Sequence, residues 1–330
     1  MQYVGNTEVL ANFLRKQLAI ERGEKSRIRP AIVVLGGGMS GVVSAGMLKA
    51  LHEVAPQAPH VCAGVSAGSG NLYGFLAGVP DLTLKVYEHL ATSGFVTGPW
   101  WRMRMEIDLV CRILRTGFED IIPDQNDIIM HRSEFVVFAT EYSTGLGLAI
   151  DAKKAEPDIV EAVRASMMAP GICSGTVHIG GKEYVDGACG MPFPVRTIAR
   201  TYRPTDVLIL FNQPLPEKMG WVEWLLFPIF ARVILLLHGV SRPVRDRTAA
   251  MDKVMAYEIR MLKRERGSAW WPWRAQPKPR QHIRWIMIAP DASETVSQRS
   301  ADKVAIKRAG ELAYANTVRL ISVVRERFKI

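Results

Sequence analysis

The stretch that decides the fold is residues 60–71, HVCAGVSAGSGN. Its first half is a short apolar strand, its second half begins a helix of small residues, and Ser66 stands at the corner between them. A serine in the pattern G-x-S-x-G at such a corner is a nucleophile elbow, because the sharp turn projects the hydroxyl and leaves room only for small neighbours, here Gly64 and Gly68. The five-residue pattern is common by chance, so its meaning depends on what accompanies it.

A glycine-rich loop precedes the elbow. Residues 31–35, AIVVL, are continuously apolar and mostly β-branched, which predicts a buried parallel strand. The sequence GGGMSG follows at 36–41, and a run of small residues then predicts a helix. The chain therefore carries two strand-to-helix turns in succession, one rich in glycine and one presenting a serine.

Two interpretations of the glycine loop are open. Gly36, Gly38 and Gly41 fit the dinucleotide pattern G-x-G-x-x-G, but that site needs an acidic residue at the end of the next strand, where the elbow stands instead. Alternatively, backbone N–H groups of the loop form an oxyanion hole, which stabilises an acyl-transfer transition state by about 3 kcal/mol per donor. We favour the oxyanion hole because the elbow supplies the matching nucleophile.

Composition sets the broad class. The 330 residues are 48% apolar, enough for one large α/β domain, and the net charge of +10 suits an acidic partner such as a membrane surface, nucleic acid or phosphorylated lipid. The four cysteines are widely spaced and form no zinc pattern, so we expect reduced, inert thiols and no metal. Since the N-terminus lacks a secretory apolar region, we expect a cytoplasmic protein.

Apolar periodicity predicts an alternating α/β chain. The predicted strands after the elbow are 135–140, 146–150, 183–186, 206–211 and 285–289, and the predicted helices are 7–24, two within 71–95, 157–168, 248–265 and 298–328. We expect the amphipathic helix at 7–24 to pack on the core and the helix at 157–168 to begin at Pro157. Gly180 and Gly181 predict a hairpin turn.

Three segments combine aromatic or apolar residues with basic ones: 97–107, 219–240 and 266–284. The segment 219–240 is almost long enough to span a bilayer, but Glu223 and Arg232 make a span costly, so we interpret it as apolar helices that lie at an interface or cover the site. Burial in the domain or in a dimer contact is the alternative. The tryptophans of 266–284 could stack on bases, but no nucleic-acid-binding motif accompanies them, so no nucleic-acid partner is predicted.

Four motifs follow one another along the chain: GGGMSG at 36–41, GVSAG at 64–68, Ala165 through Pro170 in the pattern A-S-x-x-x-P, and Asp186-Gly187-Ala188. In this order they resemble the motifs of the patatin-like phospholipases. The match covers about residues 31–215. It implies a three-layer α/β/α fold with a mostly parallel central sheet. The expected domains are an N-terminal helix and linker at 1–28 and a patatin-like domain at 29–330, with an apolar and basic insertion at about 216–284.

The resemblance also implies the chemistry. The resemblance makes Ser66 the nucleophile and Asp186 its partner, a dyad without histidine, although Asp186 taken alone is better explained as a turn residue that pairs with local backbone N–H groups. The implied oxyanion hole is formed by backbone N–H groups around the glycine loop and the elbow: Gly36, Gly37, Gly38, Met39 and Ala67. One position departs from the pattern, because the basic residue of the family's glycine loop is Ser40 here.

The function that we expect is hydrolysis of fatty-acyl esters of phospholipids or related lipids, at an anionic membrane surface to which the protein is peripheral, without a cofactor. Whether the chain forms a homo-oligomer stays open. Two rivals remain. One is a lipid-binding protein of the same fold with weak or no activity, motivated by Ser40, and the other is a nucleotide-binding enzyme that uses the loop at 36–41.

Overall fold

The computed structural model describes residues 1–98, 104–215, 232–233, 235–264, 268–270 and 282–330. The strands are β1 (Gln2–Gly5), β2 (Pro30–Val34), β3 (Val61–Val65), β4 (Val96–Thr97), β5 (Arg104–Met105), β6 (Glu134–Glu141), β7 (Gly147–Asp151), β8 (Val177–Ile179), β9 (Lys182–Asp186), β10 (Asp206–Leu210), β11 (Ser268–Trp270) and β12 (His282–Ala289). The helices are α1 (Glu8–Glu21), α2 (Val42–His52), α3 (Ala67–Leu76), α4 (Pro80–Leu90), α5 (Ile107–Thr116), α6 (Gln125–Met130), α7 (Ile159–Met167), α8 (Gly187–Gly190), α9 (Val195–Tyr202), α10 (Arg242–Arg264) and α11 (Lys303–Phe328). Short 3₁₀ turns lie at Gly38–Gly41, Ala152–Lys154 and Ala292–Glu294.

One large sheet organises the described residues, in the order β1-β12-β10-β2-β3-β6-β9-β8. Its five central strands, from β12 to β6, are parallel, and antiparallel strands flank them on both sides. The central strands are buried on both faces, which explains their continuous apolar sequence. In such a sheet the carboxyl ends of the parallel strands share one edge, and this is where both turns of the sequence motif lie.

Helices cover the sheet on both sides. Alternate residues of a strand point to opposite faces, so Ile32 and Val34 of β2 lie in one apolar core and Ala31 and Val33 in the other. The first core also contains residues of α1 to α7 and α11, whereas the second contains residues of α9 and α10. The predicted three-layer α/β/α architecture with a mostly parallel central sheet is therefore confirmed.

Several local predictions can be checked against these elements. The amphipathic helix α1 buries Val9, Leu10 and Phe13 in the first core, as expected. The hairpin at Gly180 and Gly181 joins β8 to β9. The prediction that a helix begins at Pro157 is wrong: α7 begins two residues later, because the Asp158 carboxylate accepts from the Glu161 N–H at 2.9 Å and caps it.

Two features of the termini differ from the sequence predictions. Strand β1 was not predicted, although it pairs with β12 from Gln2 to Gly5. Its four residues lack apolar alternation, so only the partner strand reveals it. The last helix begins at Lys303, capped by Asp302, and the residues before it form a loop that reaches the site described below.

The apolar and basic segments lie largely outside the described residues. This applies to most of 219–240, to the tryptophans of 97–107 and to most of 266–284. Within the described ranges, no helix is both long enough and apolar enough to cross a bilayer. Helix α10 extends the predicted helix at 248–265 toward the N-terminus, beginning at Arg242.

Candidate active site

The elbow is a strained turn between β3 and α3. Ser66 has φ +52° and ψ −129°, a conformation that a side-chain-bearing residue rarely adopts and that functional sites often retain. A Cβ on Gly64 would lie 2.5 Å from Ser69 Cα, and a Cβ on Gly68 would lie 2.4 Å from the Val34 carbonyl oxygen. The small residues around Ser66 are therefore required by close backbone packing, as the sequence pattern indicated.

Ser66 meets Asp186 across 120 residues of chain. The Ser66 hydroxyl donates to Asp186 Oδ2 at 2.7 Å, and the other carboxylate oxygen accepts from the Ala188 N–H at 2.8 Å. Asp186 is only 6% exposed. Burial raises the pKa of Asp186 to about 6, against the opposing effect of these two hydrogen bonds. Asp186 is thus a stronger base than an ordinary aspartate and is still mostly ionised at neutral pH.

Backbone hydrogen bonds to the end of α7 and to β6 fix the position of Asp186. Its N–H donates to the Met168 carbonyl at 2.9 Å, and its carbonyl accepts from the Thr140 hydroxyl at 2.7 Å. A Cβ on Gly187 would lie 2.0 Å from the Phe138 carbonyl oxygen, so only glycine fits directly after the aspartate. The D-G-A motif therefore marks a turn packed against β6.

Ser166 connects the elbow to β6. Its hydroxyl oxygen accepts from the Ser66 N–H at 2.8 Å and from the Ser69 hydroxyl at 3.0 Å, and it donates to the Phe138 carbonyl at 2.6 Å. Ser166 has no exposed surface. It is the serine of the A-S-x-x-x-P motif, which the sequence presented without a role. The structure gives it one: Ser166 holds the backbone of Ser66.

The glycine loop lies against the nucleophile. A Cβ on Gly36 would lie 3.0 Å from Ser66 Cβ and 3.7 Å from Ser66 Oγ. Within the described residues, the N–H groups of Gly37, Gly38 and Ala67 have no hydrogen-bond acceptor. These three amides are therefore free to bind a developing negative charge.

Met39 differs from its neighbours in the loop. Its N–H donates to the Gln298 carbonyl at 3.0 Å, and its side chain is buried. Since that amide is already paired, we remove Met39 from the candidate oxyanion donors. The pairing could not be foreseen from the motif, because Gln298 lies about 260 residues further along the chain.

Ser40 and Asn212 hold the carbonyls of the loop. The buried Ser40 hydroxyl donates to the Gly37 carbonyl at 2.8 Å, and Asn212 Nδ2 donates to the Leu35 carbonyl at 2.7 Å and more weakly to that of Gly36 at 3.4 Å. A peptide is planar and trans, so fixing one carbonyl directs the following N–H the opposite way. Ser40 thereby orients the Gly38 N–H, and Asn212 orients the Gly36 N–H and, through the weaker contact, the Gly37 N–H.

A buried polar network lies under the loop. Asn71 Nδ2 donates to the Gly41 carbonyl at 2.7 Å and to the Ser44 hydroxyl at 2.8 Å, and the Ser44 N–H donates to Asn212 Oδ1 at 2.9 Å. The Tyr87 hydroxyl donates to Asn71 Oδ1 at 3.1 Å, and burial raises the pKa of Tyr87, so it stays neutral. Every polar side chain of this network has a partner, which favours a single loop conformation.

A cavity of about 470 Å³ contains both Ser66 and Asp186. Its size is typical of sites for small organic ligands. Its apolar lining includes seven residues from α4, α5 and their flanking segments: Val86, Leu90, Phe95, Met105, Ile107, Val110 and Leu114. Its polar lining includes Gln213, Gln298 and Arg299, near the glycine loop. The cavity therefore combines apolar side chains suited to an acyl chain with a few polar groups, among them Gln298, which contacts the glycine loop.

A match to a protein-family model shows which family the chain belongs to. The model of the patatin-like phospholipases matches residues 32–199, which is half of the chain. The chain belongs to the patatin-like phospholipase family. A search of curated protein sequences found no match. Among solved structures, the chain is similar to VipD from Legionella pneumophila, with a TM-score of 0.39 and 12% identity over 90% of this chain and 67% of that one.

The patatin-like match includes both members of the Ser66–Asp186 pair, the glycine loop and Ser166, but it ends before Asn212, Gln298 and Arg299. Sequence reasoning missed these last three. Asn212 had a usable signal, because it follows a parallel strand at the edge where such sheets bind ligands. Gln298 and Arg299 had none, since only the folded chain brings their loop to Gly38.

Within the described ranges, no group of three or more histidine, cysteine or acidic side chains could hold a metal ion. The four cysteines are buried and free, as expected from their spacing. Burial raises the pKa of Cys189, close to Asp186, to about 12, so this thiol stays protonated and inert.

Proposed function

We propose that the chain is a serine acyl hydrolase that cleaves fatty-acyl esters of phospholipids or related lipids through the dyad of Ser66 and Asp186. The observation that carries the proposal is the 2.7 Å hydrogen bond between them inside a cavity that is lined by the glycine loop and by apolar side chains. Membership in the patatin-like phospholipase family supports lipid esters as the substrate class.

In the first half-reaction, Ser66 Oγ attacks the carbonyl carbon of the ester while Asp186 takes the hydroxyl proton. The N–H groups of Gly37, Gly38 and Ala67 stabilise the negative oxygen of the tetrahedral intermediate. The intermediate collapses, the bond to the alcohol oxygen breaks, and the alcohol leaves with the proton from Asp186. The acyl group then remains on Ser66 as an ester.

In the second half-reaction, a water molecule attacks the acyl carbon while Asp186 takes one of its protons. Collapse of the second intermediate releases the fatty acid and returns the proton to Ser66 Oγ. A carboxylate is a weak base toward a hydroxyl, so the raised pKa of Asp186 matters, because it lessens the mismatch in proton affinity. The positive end of α3 favours negative charge at the same place.

A membrane surface is the proposed place of action. Leu237 is 79% exposed, and the Arg242 side chain is 85% exposed. Gly171 lies against His238, since a Cβ on the glycine would be 3.3 Å from His238 Cβ, and the next residue, Ile172, lines the cavity. An apolar and basic surface thus adjoins the cavity, which supports peripheral binding to anionic lipid.

Vesicle binding tests this part of the proposal separately. Binding to vesicles that contain anionic lipid should exceed binding to neutral vesicles, and it should weaken as salt rises from about 0.05 to about 0.5 M, because salt screens exposed charges. Equal binding to both kinds of vesicle at low salt would contradict an anionic membrane surface as the partner.

Hydrolysis tests the central assignment. We expect the wild-type protein to release fatty acid from mixed phospholipid vesicles and Ser66→Ala to reduce the rate by about a thousandfold or more. Ser322→Ala is the matched control, since Ser322 is exposed on α11 and should leave the rate unchanged. Unchanged hydrolysis in Ser66→Ala would refute the dyad, whereas binding without hydrolysis by the wild type would favour the inactive lipid-binding alternative.

A further inference from the structure

The described lining of the cavity includes one cationic residue. Apart from Asp186, Arg299 is the only charged residue there. Arg299 is exposed, and no carboxylate among the described residues forms an ion pair with it. A guanidinium in this position is available to an anionic group that enters the cavity.

The backbone of Arg299 is fixed beside the candidate oxyanion hole. The Gln298 carbonyl accepts from the Met39 N–H at 3.0 Å, and the same oxygen would lie 2.7 Å from a Cβ on Gly38. The Arg299 N–H in turn donates to the Ser297 hydroxyl at 3.3 Å. Arg299 is therefore connected to the glycine loop through its neighbour Gln298, which contacts both Gly38 and Met39.

The cavity lining suggests how an ester would be oriented. The apolar residues of α4 and α5, such as Leu90 and Leu114, suit the acyl chain, while Gln213, Gln298 and Arg299 offer polar groups to the other part of the substrate. With the carbonyl carbon at Ser66, that other part is the alcohol side of the ester. In a phospholipid, the alcohol side carries a phosphate a few bonds from the ester.

We propose that Arg299 binds a phosphate on the alcohol side of the scissile ester and makes the site prefer anionic lipid esters to neutral ones. This inference rests on the proposed hydrolase function. Guanidinium groups bind phosphate oxygens through two parallel N–H donors, a geometry that the lysine ammonium does not reproduce. Arg299 is thus a specificity-determining residue, supplied by a segment outside the part of the chain that matches the family model.

The test compares two monomeric esters that differ in charge. They are dihexanoyl phosphatidic acid and dihexanoylglycerol, used below their micelle concentrations so that attraction to a charged surface does not contribute. We expect Arg299→Gln to lower kcat/KM for the anionic ester by about tenfold or more, mainly through KM, and to leave the neutral ester within about twofold. The kcat/KM of Arg299→Lys for the anionic ester should lie between those of the wild type and Arg299→Gln, since lysine keeps the charge but lacks the two parallel N–H donors of the guanidinium group.

The matched control is Arg308→Gln, which removes an equally exposed cation from α11 outside the cavity lining and should leave the ratio of the two esters unchanged. The assignment would be overturned if Arg299→Gln left the ratio of kcat/KM for the two esters unchanged, whether both values fell equally or neither fell.

A binding measurement separates this inference from the proposed function. If the wild type hydrolyses neither ester, the proposed function is wrong, and calorimetry with a non-hydrolysable dihexyl ether of phosphatidic acid still decides the role of Arg299. Arg299→Gln should then weaken binding of the anionic ether about tenfold and leave its neutral counterpart unaffected. Equal affinities of wild type and variant for the anionic ether would contradict the inference.

Discussion

The two strand-to-helix turns at the carboxyl edge of the sheet both exclude side chains, but they differ in what sets the direction of their backbone. The elbow after β3 is shaped by steric exclusion: Gly64 and Gly68 leave no room for a side chain, and Ser66 is held in a strained conformation. The glycine loop after β2 is also closely packed, since a Cβ on Gly38 would lie 2.7 Å from the Gln298 carbonyl oxygen. The direction of its peptides is set by hydrogen bonds, with Asn212 and Gln298 contributing from distant segments. One turn presents a hydroxyl and the other presents amides.

This difference predicts whether mutation of each turn should lower mainly the stability of the fold or mainly the catalytic rate. An elbow packed against backbone cannot yield, so a larger residue there should cost folding free energy. A loop held by side-chain hydrogen bonds can lose one of them and still fold, so the cost should fall on the rate through misdirected N–H groups. The predictions that follow test this contrast.

The largest effect on stability is expected for Gly68→Ala. The added Cβ would lie 2.4 Å from the Val34 carbonyl oxygen and 2.9 Å from that of Leu35, both in backbone that cannot move aside. We expect a loss of about 3 kcal/mol or more in the free energy of unfolding, measured by urea denaturation. Gly70→Ala in the same helix is the control, since its Cβ would meet only Met167 Sδ at 3.6 Å. A similar loss in both variants would mean that steric exclusion does not define the elbow.

A smaller effect is expected for Asp186→Asn, and its sign depends on pH. The buried carboxylate has a pKa raised from 3.8 to about 6. Its ionisation therefore lowers the free energy of unfolding above about pH 6, and this loss is absent below pH 4. We therefore expect the variant to lose activity and to be more stable than the wild type by about 2 kcal/mol near pH 8, with little difference near pH 3.5. Thermal unfolding at both values checks this, and an asparagine variant that is less stable at pH 8 would contradict it.

The smallest effect on stability is expected in the glycine loop. Ser40→Ala removes the hydroxyl that holds the Gly37 carbonyl, and we expect kcat to fall about tenfold with KM unchanged, at a cost of about 1 kcal/mol in stability. Ser133→Ala is the matched control: its hydroxyl is also buried and donates to a carbonyl, that of Pro59 at 2.6 Å, at the amino end of the sheet. That variant should lose stability and keep kcat. A loss of kcat in both would remove the special role of Ser40.

Much of the fold could be predicted from local patterns. The apolar runs at β2, β3, β6 and β10 identified the parallel core, and the glycines at 180–181 identified a hairpin, because each pattern is complete within a few residues. The contact between Ser66 and Asp186 was anticipated only through four motifs in order, since spacing along the chain says nothing about distance in space.

What could not be predicted is what holds the site together. Asn212, Gln298 and Ser166 act through hydrogen bonds to groups far away in the chain, and such pairings leave no periodic signal. The same reason hid β1, whose partner β12 is almost 290 residues distant. The role of Ser40 was equally hidden, because the sequence showed only the missing basic residue and not the Gly37 carbonyl that its hydroxyl binds.

The most direct test of the central claim, that Asp186 is the base for Ser66, is the rate at which a fluorophosphonate labels Ser66 as a function of pH, read by mass spectrometry of the intact chain and its peptides. The account predicts a label on Ser66 whose rate falls about tenfold per pH unit below a midpoint near pH 6, the raised pKa of Asp186, and is lost in Asp186→Asn. Labelling at another residue, or a rate at Ser66 that is indifferent to both pH and Asp186, would contradict it.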